Sequence, residues 1–314
     1  KTFMVSDLKW VVLDEKIAWY KSKDNFWGYS YSDSYYWNLD NDPNNIPEIV
    51  ISRIIRENLS KNWVDLGTLN VEIAFPFALY PHTSPGCAKC IEPSVDGSVE
   101  GEALKQLLSP FGSVTTLYED RSSEKPYRKP DFSLTKDNFL KVMATSNFVL
   151  SFTTAEPVNV FNLDVSYYST LYTTVWEDKN KDKKVDNYNS EITQIEEFYN
   201  FAPLNDNIKR FGIIGIYPDR DYLNDILKIG RCFYNVAINA MLPPEIMSDS
   251  FRYHLIEPMI AHGWSLAEVV SYSSPVSYYN GRYGQFMALL PRGYFYIVFG
   301  PPETQIFKSQ FLNF

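Results

Sequence analysis

The chain has 314 residues, room for one large domain or two ordinary ones, and its 45% hydrophobic and 21% charged content is that of a folded globular protein. With 38 acidic against 29 basic residues the net charge is −9, which argues against a nucleic-acid-binding surface and an anionic membrane partner. No apolar run approaches the roughly 18 residues of a transmembrane helix, and three cysteines are too few for a disulfide scaffold.

In chain order, a short strand is expected over residues 3–13, with a helical turn at 14–17. The aromatics Phe26, Trp27, Tyr29, Tyr31, Tyr35, Tyr36 and Trp37 follow, interleaved with Ser, Gly and Asp. They read as an alternating hairpin or as a flat platform on which sugars stack. Pro47 suits a helix start, and Ile51, Ile54, Ile55 and Leu59 share one helical face. An apolar strand is expected over 69–79.

It leads into the Pro/Gly-rich loop that carries Cys87 and Cys90. That C-x-x-C lacks the strand-to-helix setting of a redox motif and the following His of a haem attachment site. A local disulfide between Cys87 and Cys90, free thiols, or a metal site recruiting His82 all fit the spacing.

A helix over 102–108 and a strand over 113–118 come next. The stretch 119–133, charged and with Pro126 and Pro130, marks a linker or a long loop. Beyond it a helix over 134–144 and a strand over 148–152 are expected. A long strand then runs over 163–176, where β-branched and aromatic residues alternate.

Residues 178–186 read Asp-Lys-Asn-Lys-Asp-Lys-Lys-Val-Asp, with side-chain oxygens at every second position and once more four residues on. Ca²⁺ takes six to eight oxygen ligands, and an extended loop with this spacing can supply them. The segment resembles the calcium loops of EF-hand, dockerin and thrombospondin type 3 proteins. The resemblance implies side-chain ligation by Asp178, Asn180 and Asp182, a backbone carbonyl from Lys184, and Asp186 binding directly or through water. Lys183 stands where such loops carry Gly, and Asn189 where an EF-hand carries Glu. The other reading of these residues is a solvated, charged hairpin tip.

Ser190 is expected to cap a short helix with Ile192, Ile195 and Tyr199 on one face, and 208–217 to be a buried strand. A helix from 221 carries Ile226, Ile229, Phe233, Val236, Ala237 and Ala240 at helical spacing. Two more helical segments follow, 245–262 with a kink at Pro258 and 265–270. The tail reads as an antiparallel hairpin of 285–290 and 293–299.

Catalytic signatures are thin. His254 and His262 are separated by Pro258, and neither H-E-x-x-H nor G-x-S-x-G occurs. Acid pairs such as Asp219/Asp221 and Glu196/Glu197 carry little information among 38 acids. Gly212 and Gly215 do not form a G-x-G-x-x-G, so no nucleotide is implied. The expected fold is α+β, with mixed or antiparallel sheets and at least four helices. It divides into an N-terminal domain (1–118), a linker (119–133) and a C-terminal domain (134–314).

The expected role is that of a secreted or cell-surface structural protein with a Ca²⁺-stabilised loop, associating with itself or with other surface proteins. The alternative is an extracellular glycan-active hydrolase using paired carboxylates beside Trp27, Tyr29, Tyr31 and Trp37.

Overall fold

The computed structural model describes residues 66–75, 96–152 except 124, 172–181, 208–215, 236–240, 252–272 and 296–307. It also describes the short strand segments 2–3, 17–19, 29–31, 50–53, 82–83, 91–92 and 192–197.

Its centre is one sheet. In chain order the nine described strands are β1 (Thr2–Phe3), β2 (Val50–Arg53), β3 (Leu69–Phe75), β4 (Gly112–Tyr118), β5 (Phe132–Ser133), β6 (Phe148–Ser151), β7 (Phe211–Gly215), β8 (Val236–Ala240) and β9 (Tyr296–Phe299). Across the sheet they lie in the order β1-β2-β9-β8-β7-β6-β3-β4-β5. The five consecutive strands β8, β7, β6, β3 and β4 are all parallel, and only β9 runs antiparallel to its neighbour β8.

This corrects the expected α+β fold: the arrangement is α/β, built on a parallel sheet. The reason lies in burial. Every residue of β6 and six of seven in β3 are buried, because helices cover both faces of a parallel sheet. Strands before and after the charged segment 119–133 hydrogen-bond to each other in this sheet, β3 pairing with β6.

Helix α1 (Gly97–Leu108) joins β3 to β4, and α2 (Lys136–Met143) precedes β6. A π-helical turn (Arg252–Ile256) runs into α3 (Glu257–His262), followed by α4 (Leu266–Tyr272). Pro258 lies in the first turn of α3, directly after the π-helical turn, so the helical run over 252–262 changes its hydrogen-bond pattern just before the proline.

Alternation along the strands sorts the two faces. Val71, Ile73, Phe75, Phe148, Leu150, Phe211 and Ile213 pack with Leu104 and Leu108 of α1 and with Leu255, Met259, Leu266 and Val269 from the C-terminal helices. On the other face α2 lies against β3 and β4 and buries Phe139 and Met143.

Parts of three expected helices are corrected, the rest of each lying outside the described residues. Residues 50–53, 192–197 and 236–240 are strands. Each holds β-branched residues whose χ1 stiffness favours the pleated backbone, and strand pairing overrides the helical spacing of the apolar residues there. Ile192–Glu197 pairs antiparallel with Tyr172–Trp176, so the calcium-type loop joins two strands and not a strand to a helix. In the tail, β9 has β8 and β2 as its neighbours, and 285–290 lies outside the described residues. Among the described residues no helix is long and apolar enough to cross a membrane.

Candidate functional site at the carboxyl edge of the sheet

Taken in chain order, β3, β4, β6, β7 and β8 occupy the sheet in the order 2-1-3-4-5. From β3 the chain moves through α1 to β4 on one side, whereas from β6 it moves to β7 on the other. The carboxyl ends of β3 and β6 are therefore the point where the strand order reverses. In open parallel α/β sheets ligands bind in the crevice outside such a point, because the departing connections part there.

On the α1 face the ends of these strands carry Phe75 and Phe152, whose rings stack with centroids 4.2 Å apart. Phe75 also meets Tyr118 edge to face, at 6.4 Å. Helix α1 approaches closely because it presents glycines there. A Cβ on Gly97 would lie 2.5 Å from Phe75 Cδ1, and one on Gly101 would strike the Tyr118 hydroxyl. Tyr118 in turn donates its hydroxyl to Glu102 at 3.1 Å, and burial pushes its acidity down, so it stays protonated.

Asp96 caps α1 by accepting from Ser98 N at 2.9 Å, and its other carboxyl oxygen takes the Tyr127 N–H. Arg128 N donates to Ser98 Oγ at 3.1 Å. The connection after β4 is thus folded over the start of α1. Its base is fixed by Glu119, whose buried carboxylate is gripped by Arg121, while Glu119 N donates to Phe75 O at 3.1 Å. The residues that follow Tyr172–Trp176 meet the same connection: Asp178 N donates to Ser123 Oγ at 2.8 Å.

The α2 face of the same strands carries Glu72, Ala74, Val149 and Ser151, since Val149 pairs with Glu72 and Ser151 with Ala74. Glu72 is fully buried, and burial raises its pKa well above the ordinary carboxyl value, opposed by the positive charge of Arg210. Burial thus favours its protonated form. Arg210, also buried, directs its guanidinium to carbonyls at and beyond the end of α2, donating to Met143 O at 3.3 Å, Ser146 O at 3.1 Å and Ala144 O at 3.2 Å. It satisfies a helix C-terminus that carries partial negative charge.

The residues singled out from sequence fall differently. Asp178 is half-buried and Asn180 exposed, with Lys181 between them and Asp182 at φ 62° in the left-handed region. Asp182, Lys184 and Asp186 lie outside the described residues, as do Cys87, Cys90, Asp219, Asp221, Trp27 and Trp37. His82 opens a two-residue strand whose partner is Ile91–Glu92. Tyr29 and Tyr31 belong to a strand paired with Ile17–Trp19, and Glu196 and Glu197 end the strand paired with Tyr172–Trp176.

His254 is pushed to lower pKa by burial, against the pull of Glu257, while exposed His262 packs on Trp264 with ring centroids 4.8 Å apart. Among the described residues no three His, Cys, Asp or Glu side chains cluster to hold a metal.

Sequence reasoning passed over Glu72, Ser151 and Arg210. A signal existed for Glu72, a single acid inside Leu-Asn-Val-Glu-Ile-Ala-Phe, where charge interrupts an otherwise apolar core strand.

No protein-family model, no curated protein and no solved structure matches this chain.

Proposed function

We propose that the chain is a ligand-binding α/β protein whose binding crevice lies at the carboxyl edge of the sheet, between β3 and β6. The observation that carries this reading is the reversal of strand order at Phe75 and Ser151. Phe75 and Phe152 on one face and Glu72 and Ser151 on the other are buried beneath this edge, so they would support the crevice from below while the connections leaving the strands form its walls. A thermal-shift screen of small metabolites, with hits mapped by hydrogen exchange, tests it. Protection over 72–76 and 149–152 supports the crevice; protection confined to other segments contradicts it.

A second reading concerns the hairpin. We infer that 178–186 binds Ca²⁺ through Asp178, Asn180, Asp182, the Lys184 carbonyl and Asp186, holding one wall of the same edge in place. It is favoured by the contact of Asp178 with Ser123, which ties the hairpin to the connection over α1. Extracellular calcium, on the order of millimolar, fills even a weak site of this kind, which fits a secreted or cell-surface protein. Isothermal titration with Ca²⁺ tests this reading, and the absence of saturable binding contradicts it.

A further inference from the structure

Glu72 and Ser151 are fully buried, and neither the carboxyl oxygens of Glu72 nor Ser151 Oγ has a hydrogen-bond partner among the described residues. Buried polar atoms are nearly always bonded, because leaving one orphaned forfeits the hydrogen bonds it made to water. Two such residues on neighbouring strands, at the point where strand order reverses, call for a common explanation.

Register puts them on one face. Glu72 pairs with Val149 and Ser151 with Ala74, so the two Cα atoms stand diagonally across a four-residue patch. They are about 8 Å apart, from a strand spacing of about 4.8 Å and a rise of about 3.3 Å per residue. A glutamate side chain and one bridging molecule span that gap. Ala74, the fourth corner, offers only a methyl group and leaves the patch low.

The chemistry of the guest follows from its hosts. A protonated carboxyl offers one O–H donor and a carbonyl acceptor, and the serine hydroxyl offers one donor and its lone pairs. Arg210 is the cation that acts on Glu72, and its N–H groups are directed to the Met143, Ala144, Ser146 and Ile208 carbonyls. The patch therefore suits a neutral molecule better than an anion.

We infer that Glu72 and Ser151 together hold one uncharged guest that both donates and accepts hydrogen bonds: an internal water, or the hydroxyl or amide end of a ligand lying in the crevice. The ligand form rests on the function proposed above, and the water form does not.

The test uses the full chain. In urea unfolding, Glu72→Met, Ser151→Ala and the double variant form a thermodynamic cycle. A shared guest makes the two changes non-additive by about fivefold or more in the unfolding constant, whereas residues without a common partner add. Additivity overturns the site. Should Glu72→Met fail to fold, an atomic-resolution crystal structure of the unmodified chain decides instead. Density within hydrogen-bonding distance of both side chains supports the site, and a direct bond from each to a protein group overturns it. Native mass spectrometry then separates the sources. A small-molecule mass lost on denaturation identifies a ligand, and the bare chain mass together with that density identifies water.

Discussion

Ser151 pairs with Ala74 in parallel register, at the ends of two neighbouring strands from which the chain departs in opposite directions along the sheet. Everything assigned to the candidate site is arranged about that pair. The Phe75–Phe152 stack lies on the α1 face, Glu72 lies two residues before Ala74 on the α2 face, and Glu119 reaches back to the Phe75 carbonyl.

Glu72 makes stability depend on pH with a definite sign. Its folded pKa is raised above the ordinary 4.5, so the folded chain keeps a proton that the unfolded chain has lost. Its contribution is complete below about pH 4.5 and declines as pH rises toward the folded value, by up to about 1.4 kcal/mol per pH unit. Glu72→Gln removes this dependence, so its stability relative to wild type should improve from pH 4.5 to pH 7 in chemical unfolding. Parallel pH profiles for the two proteins would contradict a neutral Glu72.

Helix α1 sits against the sheet only because two positions lack side chains. Gly101→Ala forces a methyl into the Tyr118 hydroxyl, and Gly97→Ala drives one into the Phe75 ring. Each should cost about 1–3 kcal/mol. Crystal structures of the variants are expected to show α1 displaced from Phe75 or Tyr118. Unchanged stability would mean that the helix does not seat this closely.

Arg210 is a cap supplied from the residue just before β7. Arg210→Met leaves the Met143, Ala144 and Ser146 carbonyls without their buried donor. A loss of about 3 kcal/mol or more is expected by urea unfolding. Hydrogen exchange should quicken first in α2, because that helix end loses the donor shared by its last carbonyls.

The hairpin reading makes a separate prediction. Titration with Ca²⁺ should give a dissociation constant on the order of 10⁻⁴ to 10⁻³ M, the range of extracellular modules. Asp178→Asn combined with Asp182→Asn and Asp186→Asn should abolish the heat. Wild-type chain that releases no heat would leave the segment as a charged hairpin tip.

Much of the local structure was legible in the sequence. The strands ending at Tyr118 and Ser151, the helix around Phe139 and the one through Val269 all lie where periodicity predicts them. Pairing was not legible. Nothing local in Phe-Val-Leu-Ser tells whether its neighbours run parallel, and that single unknown turned an expected α+β fold into α/β. Val50–Arg53 and Val236–Ala240 lie within stretches whose apolar residues keep helical spacing, and pairing in the sheet overrides that spacing there. The candidate site was hidden for the same reason. Glu72 and Ser151 are 79 positions apart, and only the register of β3 against β6 brings them to one face.

The most direct measurement is a crystallographic fragment screen on the intact chain. The account predicts that fragments collect at the carboxyl edge between Phe75 and Ser151, over a sheet in which β3 lies between β4 and β6. Fragments gathering at other surfaces, with that edge bare, would contradict it.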